Sequence, residues 1–286
     1  MSQQKQIKSR IKNVKSTKKV TKSMRLISGV KMQRSVKKTT HSKLFASEYE
    51  QLILRFGFKS AQAHPLTANY SEEKSDATDL PETIVLFASD RGLCGNYNSQ
   101  LLKHAFTYID KNKKYRLIAV GNHATKIARN ENVTLVQAYP SDMGTQDFDE
   151  IASLANELVK SFLGKETNKV TLIYTSFINS YQSEVNIRQL LPIVLETKTV
   201  EYEDVLVEPS YSEILDYGLH KSIQVSIYNA LLNAQTSEHS NRMIAMQNAT
   251  DAATEISDKL TLEYNKLRQG SITQEVAEIL NGTLNS

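Results

Sequence analysis

The sequence predicts an α/β protein in which a small, mostly parallel sheet domain carries a long stalk built from both ends of the chain. Three observations lead there. All five prolines, Pro65, Pro81, Pro140, Pro192 and Pro209, fall between residues 65 and 209, so two long terminal stretches lack the strongest helix breaker. Between those stretches, apolar runs alternate with amphipathic ones in βαβ order. The terminal stretches are also too long for the middle. As helices, residues 3–58 and 211–281 would extend about 84 and 107 Å, against about 35 Å for a compact domain of some 125 residues. Two such helices must project, and the economical way to cover their apolar stripes is to wind them around each other.

In chain order, the first stretch spaces Ile7, Ile11 and Val14 by 4 and 3, then Val20, Met24 and Ile27 likewise. Phe45, Tyr49, Leu52 and Phe56 continue the pattern. Ser16-Thr17-Lys18-Lys19 interrupts it and Gly29 weakens it by roughly 1 kcal/mol. A polar linker, "HPLTANYSEEKSDATDLPE", follows at 64–82. "TIVLFA", "RLIAVG", "VTLVQAY" and "KVTLIYTSFI" then read as strands, with "NSQLLKHAFTYI", "NHATKIARNE" and "FDEIASLANELVKSFL" as the helices between them. "VNIRQLLPI" and "DVLVEP" are candidate edge strands. Ser210, directly after Pro209 and three residues before Glu213, opens a capping box. Leu215, Leu219, Ile223 and Ile227 recur every fourth residue beyond it, and Met246, Ala249, Ala253, Ile256, Leu260, Tyr264 and Leu267 step by 3 or 4. The domains are therefore an N-terminal helix (1–59), a linker (60–82), an α/β domain (83–209) and a C-terminal helix (210–286).

Charge is distributed unevenly. Residues 1–59 hold 16 Lys+Arg against Glu48 and Glu50, or +14, and the remainder carries −10, for a net +4. A basic arm on an acidic body calls for a partner. Nucleic acid is one, but residues 1–44 contain no aromatic side chain on which a base could stack. A protein with acidic surfaces is the other. No apolar run approaches the roughly 20 residues of a membrane span, and no secretory signal is expected. A single cysteine excludes an internal disulfide.

The stretch most like an active site is "LFASDRGLCGNYNSQLL" (86–102), a glycine-rich turn between a strand and a helix. A phosphate-binding P-loop needs a lysine and a hydroxyl after its last glycine, where Gly95 is followed by Asn96 and Tyr97. The spacing of Gly92 and Gly95 does not fit a dinucleotide fingerprint. Cys94 has no cysteine-enzyme motif around it, and its base would have to be a distant histidine such as His123. Glu238-His239 lacks the second histidine of a zinc-protease helix. The expectation is no catalytic residue, no cofactor and no metal.

"SDRGLCG" after a strand, "RMIAMQNATDAA" and "YNKLRQGSITQEVAEILNG" in the last helix, and "IKSRIKNVKSTKKVTKSM" in the first closely resemble the gamma subunit of F-type ATP synthases, from about residue 3 to 283. The resemblance implies a non-catalytic rotor. The terminal helices would form an antiparallel coiled coil inside a ring of alpha and beta subunits, and a Rossmann-like α/β domain would sit with the epsilon subunit on the membrane-embedded c-ring. Proton flow would turn this rotor and drive ATP synthesis, with the chain peripheral to the cell membrane on its cytoplasmic side. Position by position, Arg268, Gln269 and Thr273 match contacts to a beta catch loop, and Met24 and Arg242 match positions facing beta levers. Asp90, Arg91, Gly92, Cys94 and Gly95 match the rotor's shoulder, and Val207 and Glu208 the c-ring side. Departures from the family pattern at "LISGVKMQ" (26–33), Val207, Gly270 and "NGTLNS" leave open a paralogous motor with another ion or load.

Overall fold

The structure, a computed structural model, describes residues 3–61, 64–68, 80–109, 114–130, 133–144, 148–194, 208 and 210–284. The chain divides into two compact units. One comprises residues 30–241, the other residues 1–29 with 242–286.

The larger unit is built on a five-stranded sheet. Its elements in order are β1 (Glu82–Phe87), α2 (Tyr97–Ile109), β2 (Tyr115–Val120), α3 (Asn122–Asn130), β3 (Leu135–Tyr139), α4 (Asp149–Leu163), β4 (Lys169–Asn179) and β5 (Gln182–Leu191). They lie between α1 (Gln3–Ala61) and α5 (Tyr211–Leu284), which contribute to both units. The spatial order is β3-β2-β1-β4-β5, with β5 antiparallel and the other pairings parallel. The "VNIRQLLPI" edge strand is thus β5. "DVLVEP", Val207 included, lies outside the described residues except Glu208, an exposed residue in a bend.

Strands β1 and β4 are buried on both faces, which explains their unbroken apolar runs. Alternation sorts the side chains. Val85, Phe87 and Leu172 face Leu154 and Leu158 of α4 and Leu219, Ile223 and Ile227 of α5. Ile84, Leu86 and Ile173 face Leu101 and Ala105 of α2 and Ala124 and Ala128 of α3. Leu66, within the stretch read as polar, is fully buried in the first of these clusters. At the start of α5 the Ser210 hydroxyl accepts from the Glu213 N–H (3.3 Å), the serine half of the anticipated capping box. Within this unit α1 meets α5 through polar pairs. The Thr39 and Thr236 hydroxyls are 2.9 Å apart, and the Ser42 hydroxyl donates to Asn229 Oδ1 (2.7 Å).

The smaller unit is an antiparallel pair of helix segments, and here the structure corrects the predicted face. The inward positions of α1 are 7, 11, 14, 18, 21, 25 and 28, an unbroken 4-3 alternation, while Val20 and Ile27 stand 55% and 58% exposed. On α5 the seam runs through Met246, Thr250, Ala253, Ser257, Leu260, Tyr264 and Leu267, with Ile256 48% exposed and Ala249 only half-buried. The period was helical as read, but the seam uses Thr21, Ser28, Thr250 and Ser257 in place of the aliphatic neighbours. Hydroxyls are cheap to bury there because each can use its own helix. Thr250 Oγ1 lies 2.7 Å from the Met246 carbonyl and Thr21 Oγ1 3.1 Å from that of Lys18, and the two hydroxyls are 2.8 Å apart. Small side chains also allow close approach: Gly29 lies beside the Met243 sulfur. Arg25 Nη1 donates to Gln247 Oε1 (2.6 Å), and Gln4 Nε2 to the Leu267 carbonyl and Ser271 Oγ near the far end.

Candidate functional site

The loop after β1 is shaped by the ends of three strands. β1 closes with the Ala88 N–H donating to the Val120 carbonyl (2.8 Å). Directly after β2, Gly121 adopts φ +95°, and a Cβ there would stand 2.2 Å from the Ala88 carbonyl oxygen, so this approach requires glycine. One Asp90 carboxylate oxygen accepts the Asn122 N–H (2.8 Å), satisfying an orphan donor at the start of α3. The other accepts from both the Ser141 N–H (2.9 Å) and its hydroxyl (2.6 Å) after β3. Asp90 therefore staples the β1, β2 and β3 loops together. A carboxylate on these donors takes the place an anion would need. Asn98, at the start of α2, closes the other side of the loop with Oδ1 accepting from the Ser89 N–H (3.2 Å).

Cys94 points into this framework. It is 2% exposed, its sulfur 3.4 Å from Asn98 Nδ2 and 3.9 Å from the Arg91 carbonyl oxygen. The loop's outer surface is instead Arg91, Gly92 and Leu93, all exposed. Leu93 is 62% exposed with a positive φ of 63°, an arrangement a leucine seldom adopts, and Gly95 has φ 61°. Sequence reasoning passed over Leu93. Its signal was a large apolar residue inside a turn, outside any helical or strand period.

The remaining candidates lie on the coiled-coil unit. Arg268 and Gln269 are exposed, as is Thr273, whose hydroxyl donates to the Gln269 carbonyl (2.9 Å). Their neighbours Leu267 and Ser271 are the residues that meet Gln4, so this face of α5 is left outward. Met24 is half-buried and Arg242 is 8% exposed. Around α1, Lys5, Lys8, Lys12, Lys15, Lys19 and Lys22 are all exposed, a dense positive surface beside apolar Val20, Leu26 and Ile27.

This pairing of a polar-seamed helical hairpin with a β3-β2-β1-β4-β5 sheet has close relatives. The sequence matches the ATP synthase family over residues 3–284. It is 33% identical over 290 residues to the ATP synthase gamma chain of Geobacter metallireducens, covering 99% of this chain and 98% of that one. The chain belongs to the ATP synthase gamma chain family. It is likewise 32% identical over 292 residues to the gamma chain of a Sulfurovum species, with the same coverage. Among solved structures, a chain of the central stalk and c-ring assembly of the Tetrahymena thermophila mitochondrial ATP synthase superposes with a TM-score of 0.58 at 25% identity, over 80% of this chain and 99% of that one. A chain of the Euglena gracilis mitochondrial enzyme gives 0.68 at 16% identity, over 98% and 93%, a likeness of fold. Among the described residues, no helix is long and apolar enough to cross a membrane.

Proposed function

We propose that this chain is the central-stalk rotor subunit of an F-type ATP synthase, transmitting torque between a proton-driven c-ring and the catalytic beta subunits without catalysing a reaction itself. Family membership across nearly the whole chain carries the reading. The outward face of α1 supports it. A positive surface with Val20, Leu26 and Ile27 exposed is what a helix presents when it runs inside a partner rather than in water. In this reading alpha and beta subunits surround the helix pair. Arg268, Gln269 and Thr273 meet a beta loop and Met24 faces the beta levers. Arg242, 8% exposed, is matched to the same levers. The Asp90–Gly95 loop is the shoulder, with Leu93 at its surface, and Val207 and Glu208 lie toward the c-ring and epsilon. The chain is then held at the cell membrane peripherally, on the cytoplasmic side, through the complex.

The test is assembly and rotation. Purified with its alpha and beta subunits, the chain should co-elute in fixed stoichiometry, and a bead on Lys103→Cys, an exposed position of α2, should rotate when ATP is supplied. The isolated chain should hydrolyse no ATP. An alpha–beta complex whose turnover is the same with and without the chain would overturn the reading.

A further inference from the structure

In open α/β sheets, ligands bind beyond the carboxyl ends of the strands where the chain reverses its direction of winding. Here the chain passes from β1 outward through β2 to β3, then returns to place β4 on the other side of β1. The reversal therefore lies between β1 and β4. Their pairing stops at Leu86 and Ile173, yet β4 continues to Asn179. Its overhanging backbone groups need partners.

Helix α5 supplies them. Ser237 Oγ donates to the Thr175 carbonyl (3.1 Å), and the Phe177 N–H donates to Asn233 Oδ1 (3.3 Å). Ser240 Oγ donates to the Ser180 carbonyl (2.6 Å), and Asn241 Nδ2 to Ser183 Oγ on β5 (3.2 Å). From the β1 side the Tyr97 hydroxyl, on a side chain 2% exposed, stands 3.5 Å from the Phe87 carbonyl oxygen and 3.3 Å from that of Ala234. Residues 233, 237, 240 and 241 share one face of the helix, at the i, i+4, i+7 spacing. The crevice that would take a ligand is filled by the protein's own helix.

We propose that Asn233, Ser237, Ser240 and Asn241 form the joint through which torque passes between the sheet and the C-terminal helix. The proposal rests on the rotor reading above. Its physical basis is a division of labour along α5. Leu215, Leu219, Ile223 and Ile227 bury apolar surface against the sheet, an attraction that is non-directional and scales with the area removed from water. Hydrogen bonds to fixed strand carbonyls and N–H groups are directional and fix both the rotation of the helix about its axis and its axial position. The apolar contacts hold the helix on the domain. The clamp sets how stiffly the two turn together.

The experiment uses the assembled complex, with the alpha–beta ring fixed to a surface, a bead on Lys103→Cys and the rotor stalled. Its readout is the angular variance of the bead. In Asn233→Ala/Ser237→Ala/Ser240→Ala, three directional bonds are lost and the variance should rise about twofold, while ATP hydrolysis by the complex stays near that of the unsubstituted chain. Ser237→Ala/Ser240→Ala, which removes two oxygen atoms and no packing volume of consequence, should widen it less. Ile223→Val, which trims one apolar contact with the sheet cluster and keeps every one of these hydrogen bonds, should leave the variance unchanged. Unaltered variance in the triple variant, or equal widening in Ile223→Val, overturns the joint. A complex that does not assemble or rotate with the unsubstituted chain overturns the rotor reading instead, and the joint with it.

Discussion

In the sheet unit, Ile84, Leu172 and Ile173 are fully buried, and each sits among aliphatic neighbours from helices on one face or the other. In the helix-pair unit the chains meet at Thr21, Ser28, Thr250 and Ser257, while Val20, Ile27 and Ile256 face outward. The two units are thus built in opposite senses. Apolar burial specifies the sheet unit, where density makes each methyl group count. The helix pair is specified by small side chains and hydroxyls that satisfy themselves on their own helix. Several of its apolar residues, Val20, Leu26, Ile27 and Ile256, face outward. A unit built this way is held by register and closeness of approach rather than by a large internal core.

The sharpest way to break this contrast is to delete bulk from the sheet unit. Leu172→Ala empties a fully buried site between β1 and α4, and should cost about 2–5 kcal/mol in chemical denaturation of the purified chain. A loss below about 1 kcal/mol would mean the unit collapses around the cavity and is less tightly packed than its burial implies.

A gentler change sharpens the other side. Thr21→Val with Thr250→Val replaces both partners of a buried hydroxyl pair by apolar groups of the same shape. Such exchanges are nearly neutral or stabilising, so stability should stay within about 1 kcal/mol of the unsubstituted chain. Hydrogen exchange of the amides around Thr21 and Thr250 would localise the change. Marked destabilisation would show that the threonine pair, and not close approach, holds the seam.

The smallest effect on folding is expected where the helix pair faces outward. Arg268→Ala with Gln269→Ala removes exposed side chains, so stability should shift by less than about 0.5 kcal/mol. ATP synthesis by the assembled complex should nevertheless fall, because a charged hydrogen bond across an interface is worth about 1.5–3 kcal/mol. Normal synthesis in a fully assembled double variant would remove these residues from the proposed contact.

Much of the molecule was legible in the chain. The absence of proline over 1–58 and 210–286 marked the two long helices, and the alternation of apolar runs marked β1 to β4 and the helices between them. Those signals are local: proline geometry and side-chain period act within a few residues. The seam was legible in part: Ile7, Ile11, Val14, Met246, Ala253, Leu260, Tyr264 and Leu267 lie on it as read, but elsewhere a helical period tells which residues share a face and not which face meets a neighbour. Val20, Met24 and Ile27 and their polar neighbours Thr21, Arg25 and Ser28 repeat with the same spacing, and hydropathy favours the wrong set. The glycine loop was legible as a turn and as a poor phosphate site. That Asp90 staples three strand ends depends on partners 32 and 51 positions away in the chain.

The sequence by itself determined the elements, their order and the family, since each follows from local backbone preference or from a long run of residues shared with relatives. The tertiary structure decided which faces are buried and what occupies the crevice at the sheet's carboxyl edge. No local rule predicts that Asn233, Ser237 and Ser240 fill it, because their partners are the backbone groups of Thr175, Phe177 and Ser180, 56 to 62 positions away in the chain. A side chain announces that it can form a hydrogen bond; where the backbone of another segment is left unpaired is settled by packing alone.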